Sequence, residues 1–200
     1  MKLIIASNNR HKIEEIKAML GEKFERVLGM AEAGLFVDVD EDRPTLEGNA
    51  RKKAEEIFKA ADEAGLLQCG DGVLADDTGL LVDALGGAPG VRSARYATDG
   101  HDDKANREKL LKELGDTEDR AAHFATAMVL LRKDMREIEA VGRVYGVIGF
   151  EERGDNGFGY DSLFYYPPFG KTFAEMTAEE KNLVSHRRNA LTMTLAAMEE

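Results

Sequence analysis

The chain opens on Lys2–Ala6, KLIIA, a short apolar and β-branched run that predicts a buried strand. The polar triplet Ser7-Asn8-Asn9 follows, and Ile13, Ile16 and Leu20 then recur at helical spacing. That succession predicts strand, tight turn, helix. Leu35–Val39 alternates weakly and predicts a second strand. Thr45 opens a long helix running through about Glu63, with Gly65 as its C-terminal cap. Gly72–Ala75 leads into the adjacent acids Asp76 and Asp77, which end the apolar run, and Leu80–Leu85 follows as a further apolar segment. Asp102 or Asp103 caps a helix that ends near Gly115. Ala121–Leu131 and Ile138–Phe150 are long β-type runs on either side of a polar turn, residues 132–137, and predict an antiparallel pair. The C-terminal stretch, residues 177–200, is helical in pattern. Early alternation of strand and helix with a late hairpin predicts an α/β mixed sheet, not a purely doubly wound one.

Composition narrows the class. A chain of 200 residues that is 43% hydrophobic can bury one sizeable core, so a single domain over residues 1–200 is expected. No apolar run approaches the roughly 18 residues of a membrane span, and the N-terminal run is too short for a signal peptide. Cys69 is the one cysteine, so no internal disulfide is expected and a reducing cytoplasm fits. The net charge of −11 gives no broad electrostatic footprint for a nucleic acid polymer. A small polyanion would need a few focused cations or a metal.

Several segments carry candidate chemistry. The stretch Ser7-Asn8-Asn9-Arg10-His11-Lys12 lies where the first helix begins, and helix N-termini present free N–H groups that bind anions. A plain helix cap with a solvated lysine accounts for the same residues. Asp76-Asp77-Thr78 places carboxylates beside an apolar strand, an arrangement that suits Mg2+, and DVDEDRPTLEG supplies further acids. A solvated turn is the plainer account. Gly86–Gly90 reads as a structural turn. Gly154–Phe164, GDNGFGYDSLF, sets Phe158, Tyr160 and Asp161 among glycines, fit either to clasp a flat ring or to pack a hairpin turn on the core. In one straight helix, Lys181 and His186 would point about 140° apart. Ser185 as a cap, with a Thr177–Glu180 capping box upstream, allows two helices instead, and His186 and Arg187 then fall in the first turn of the second.

Taken together, SNNRHK, TLEGNARKKA, ADDTGL…GGAPGVRSARY, GFGYDSLF and EEKNLVSHR form an ordered set along nearly the whole chain. The chain closely resembles the inosine triphosphate pyrophosphatase family, the XTP/dITP diphosphatases. The resemblance implies an elongated mixed twisted sheet flanked by helices, with two lobes and a central cleft. It implies hydrolysis of non-canonical purine nucleoside triphosphates (ITP, dITP, XTP) to monophosphate and pyrophosphate, with Mg2+ as cofactor and a homodimeric assembly. By the same resemblance, Ser7, Asn9 and Lys12 hold the triphosphate, and Lys53 of the NAxxKA block is a second phosphate ligand. Asp77 becomes the metal ligand and catalytic acceptor, and Thr78 touches substrate. Phe158, Gly159, Tyr160 and Asp161 clasp the base, and Lys181, His186 and Arg187 read it. The family pattern often has glutamate directly before the Asn-Ala pair, where this chain has Gly48. Glu47, one residue earlier, and Glu41 upstream both stand as metal-ligand candidates.

Two other readings compete. A Maf-like pyrophosphatase would act on other modified nucleotides, and a non-catalytic nucleotide-binding module would bind without turnover.

Overall fold

The computed structural model of the protein describes residues 1–21, 23–134 and 136–199. Met135, in the turn expected at residues 132–137, lies outside the described residues, as do Glu22 and Glu200.

The chain builds a mixed α/β fold on an eight-stranded sheet. Strand β1 (Lys2–Ile5) leads to helix α1 (Arg10–Leu20), then to β2 (Arg26–Gly29) and helix α2 (Leu46–Glu63). Next come β3 (Gly72–Val82), the short β4 (Pro89–Gly90) and helix α3 (Asp103–Leu114). Strands β5 (Ala121–Arg132) and β6 (Glu137–Ile148) follow, then β7 (Phe164–Tyr166), β8 (Lys171–Thr172), and helices α4 (Ala178–Val184) and α5 (His186–Met198). The strand order is β2-β1-β3-β5-β6-β7-β8, with β4 beside β3. β1 is parallel to β2 and to β3, whereas β7 runs antiparallel to β6 and to β8. β5 and β6 are neighbours joined by four residues, too few for a parallel crossover.

Two expectations are corrected. The second strand is Arg26–Gly29, not Leu35–Val39, which forms no strand. RVLG is too short to show a period, and its pairing with β1, Lys2 to Arg26 through Ile5 to Gly29, makes it a strand. Asp76 and Asp77 do not end a strand either. β3 runs straight through them to Val82, joining the apolar runs read as separate segments.

The chain divides into two compact units. Unit 1 comprises residues 1–77, 126–142 and 187–200. In it, Leu3 and Ile5 of β1, Leu74 of β3, Ile16 and Leu20 of α1 and Ala190 and Leu191 of α5 share one core cluster. Ala50, Ala54, Ile57 and Ala61 form the buried stripe of α2 at helical spacing. Going from β1 outward to β2 and back across to β3 reverses direction. Right-handed crossovers therefore place α1 and α2 on opposite faces of this part of the sheet. Unit 2 comprises residues 78–125 and 143–186, and its core holds Leu80, Val82, Leu110, Leu114, Phe124, Phe164 and Phe173.

Candidate active site

In unit 1 the alternation of a strand explains the paired acids. Successive side chains of β3 point to opposite faces. Asp76 shares parity with Leu74 and turns to the α1 and α5 side; Asp77 turns to the α2 side. Each meets its own cations. Asp76 Oδ2 lies 3.3 Å from Lys12 Nζ and 3.3 Å from Arg187 Nε. Arg187 also pairs through Nη1 with Glu15 of α1. Asp77 Oδ1 is 3.6 Å from Lys53 Nζ, which donates to Glu41 Oε1 at 2.8 Å. Asn49, one turn before Lys53 on α2, donates from Nδ2 to Asp77 Oδ2 at 3.2 Å.

Surroundings push the two carboxyls apart. Burial opposes ionisation of Asp76, but Lys12, Arg187 and Lys53 outweigh it and hold this acid well below the usual carboxylate range. Burial raises Asp77 and Glu41 adds to the rise, against the pull of Lys53 and Lys12. Lys12 is lowered by burial despite Asp76. Lys53 is raised because Asp77 and Glu41 overcome its burial. Lys12, Lys53 and Arg187 thus face the carboxylates Glu15, Glu41, Asp76 and Asp77.

The Ser7–Lys12 segment has the geometry of a helix start. Asn9 caps α1 by accepting from Lys12 N at 3.2 Å, and Ser7 Oγ accepts from Asn9 N at 3.1 Å. Asn8 and His11 are exposed, and Arg10 is engaged on the surface with Glu14 at 2.7 Å. Glu41 is the candidate ligand that the structure brings to Lys53 and Asp77; Glu47 lies in the first turn of α2, where its charge complements the helix dipole. Gly48 also has a reason. A Cβ there would sit 2.9 Å from Arg43 Cβ, so this path of the chain leaves no room for a glutamate.

In unit 2, Lys181 Nζ donates to Asp161 Oδ2 at 2.7 Å, with both residues buried. The same oxygen accepts from Phe158 N at 2.9 Å, and the ammonium lies 4.9 Å from the centre of the half-buried Phe158 ring. His186 is buried and stacks on Phe124, centroids 4.7 Å apart. Tyr160 is turned into the core, where its hydroxyl donates to Ser93 O at 2.8 Å. Thr78 is half-buried in β3. The helix break is real: Ser185 takes an extended conformation (φ −67°, ψ 156°) between α4 and α5, so His186 and Arg187 open α5. Arg187 belongs to unit 1 and is fully buried on Asp76 and Glu15.

A family model described as the Ham1 family matches residues 3–197. The chain belongs to the Ham1 family. Among Ham1 relatives, a dITP/XTP pyrophosphatase of Clostridium tetani is 47% identical over 94% of this chain and 92% of its own length. One of the same name from Clostridium perfringens is 48% identical over 95% and 93%. The structure of the Staphylococcus aureus Ham1 protein superposes with a TM-score of 0.84 at 41% identity, covering 100% of this chain and 98% of the other.

Reading the sequence missed three members of this Ham1 site: Glu15, Asn49 as a partner of Asp77, and Asp76 as the centre of an ion-pair cluster. Glu15 had a signal, since it stands three residues after Lys12 and so on the same face of α1. Asn49 stands four residues before Lys53 in the same way.

Proposed function

We propose that this protein hydrolyses non-canonical purine nucleoside triphosphates, dITP, XTP and ITP, to the monophosphate and pyrophosphate. The observation that carries the reading is Asp77, a buried carboxylate held between Asn49 and Lys53 in a chain whose close relatives are named dITP/XTP pyrophosphatases.

Mg2+ is the proposed cofactor, and the donor set fits it. Asp77 and Glu41 are oxygen ligands that already converge on one cation, the Lys53 ammonium, and Mg2+ commonly takes one or two carboxylates with substrate phosphates. When bound, Mg2+ supplies charge neutralisation and polarisation of the phosphate oxygens. The chain does the rest. Ser7, Asn9 and the first N–H groups of α1 receive phosphate oxygens, Lys12 and Lys53 hold their charge, and Asp77 takes the proton of the water that attacks the α-phosphorus. The bond from that phosphorus to the bridging oxygen breaks, and pyrophosphate departs.

Base selectivity follows from donors in unit 2. A 6-oxo purine presents an acceptor, which suits Lys181 and His186. A 6-amino purine presents a donor against donors, a mismatch of about 1–3 kcal/mol per unpaired group. Arg187, engaged on Asp76 and Glu15, is the third group proposed to read the base.

The proposal includes a small-molecule nucleotide substrate, a homodimer and a cytoplasmic setting; no helix among the described residues is long and apolar enough to cross a membrane. A nucleotide panel tests the function: dITP, XTP and ITP against dATP, dTTP and UTP, with Mg2+ and with chelator, scored for pyrophosphate against orthophosphate. Preferential release of pyrophosphate from the 6-oxo purines is expected. Faster turnover of dTTP or UTP, or binding of dITP without turnover, would overturn the reading.

A further inference from the structure

The loop that carries Phe158 and Asp161 is gripped from outside. Gly159 N donates to Asp103 Oδ2 at 2.8 Å, and Arg107 Nη1 donates to Gly159 O at 2.8 Å. One residue thus has both its polar backbone groups engaged by a single helix, α3, from side chains four apart and so on one face. Arg107 is itself held. Its Nε lies 2.8 Å from Glu152 Oε2, and Glu152 accepts from Ser162 Oγ at 2.8 Å, on the far side of the loop. Gly159 has φ +60°, yet a Cβ there would meet nothing within 4 Å. The glycine serves the backbone turn, and the turn aims Phe158 one way and Tyr160 the other. Tyr160 feels both gripping charges, Asp103 raising its hydroxyl and Arg107 lowering it, beneath the larger effect of burial.

We propose that Asp103 and Arg107 are positioning residues for base recognition, clamping the Gly159 backbone so that Phe158 and Asp161 are held ready against Lys181. The proposal rests on the reading that this loop receives the purine. The groups assigned to phosphate and metal all lie in unit 1, whereas Asp103 and Arg107 belong to unit 2. Loss of the clamp therefore loosens the hold on the base and leaves the hold on phosphate intact.

The test uses the full-length protein carrying Asp103→Ala, Arg107→Ala, the double substitution, Asp103→Asn and Phe158→Ala. For each, KM and kcat for dITP are measured with Mg2+, dITP affinity is read by calorimetry, and inhibition by tripolyphosphate, which has no base, gives a Ki. Asp103→Ala and Arg107→Ala should each weaken dITP binding about fivefold, the worth of one hydrogen bond, with kcat nearly unchanged. The double variant should fall short of the product of the singles, because both act on one glycine. Asp103→Asn keeps an acceptor and should restore most of the affinity. The tripolyphosphate Ki should not move. Unchanged dITP affinity in both single variants while Phe158→Ala weakens it overturns the clamp. A tripolyphosphate Ki that rises in step with KM also overturns it, since the damage is then general. Unchanged affinity in the Phe158→Ala and clamp variants alike overturns the base-loop reading itself. Calorimetry keeps the clamp test alive if dITP binds without turnover.

Discussion

Asp76 and Arg187 stand 111 residues apart and meet at 3.3 Å with neither side chain exposed to solvent. A buried pair of this kind tolerates poorly the loss of one member, since the survivor keeps its charge without compensation. Arg187→Ala takes the guanidinium from both Asp76 and Glu15 and leaves Asp76 to Lys12. The variant is expected to lose about 3–5 kcal/mol of stability, measured by urea denaturation against wild type. A loss below about 1 kcal/mol would mean that the cluster relaxes or takes up water.

Asp77→Asn separates chemistry from folding. The amide keeps an acceptor for Asn49 Nδ2, and burial already works against the ionised carboxyl. The change should cost little stability. It removes the proposed proton acceptor and one metal ligand, so kcat for dITP should fall by at least about 100-fold. Pyrophosphate release and a thermal melt on the same sample decide the matter. Turnover near wild type would end the role given to Asp77.

The residues that were legible in advance are those whose reasons are local. Asn9 at the head of α1 follows from short-range capping chemistry. So does the start of α4, where Thr177 Oγ1 accepts from Glu180 N at 3.2 Å and Glu180 Oε2 accepts from Thr177 N at 3.0 Å. What escaped was set by distant partners. Arg26–Gly29 becomes a strand by lying against β1, and nothing within RVLG announces that. β3 carries two charges through its middle because Lys12, Arg187 and Lys53 come from elsewhere in the chain to meet them. A local reading, blind to those partners, ended the strand at the acids.

The two glutamates considered for the metal are distinguishable. Glu41 shares Lys53 with Asp77 and raises the Asp77 carboxyl by its proximity. Glu47 makes no ion pair among the described residues. Glu41→Gln should raise the Mg2+ concentration for half-maximal activity by about tenfold, in line with the loss of a charged oxygen ligand, and Glu47→Gln should shift it by less than about twofold. A Mg2+ titration of dITP turnover measures both. Equal shifts in the two variants would reverse the assignment.

Acid stability has an identifiable contributor away from the site. Asp71, in the turn before β3, accepts from Lys2 N at 2.7 Å and from Gln68 N at 3.0 Å, with Lys2 Nζ 3.6 Å away. Burial opposes its ionisation, but those donors and the Lys2 charge prevail and hold the carboxyl below its ordinary value. A carboxyl whose folded value is depressed contributes stability above its unfolded value, about 3.9, and loses it as pH falls through the folded value. Asp71→Asn should therefore be less stable than wild type at pH 7 by about 1–2 kcal/mol. The gap should narrow as pH drops below about 4. Urea denaturation of both proteins across pH 3 to pH 7 reads the difference directly. A gap that stays constant over that range would place the loss in the acceptor the amide lacks, since its one oxygen cannot serve both Lys2 N and Gln68 N, and not in the carboxyl's charge.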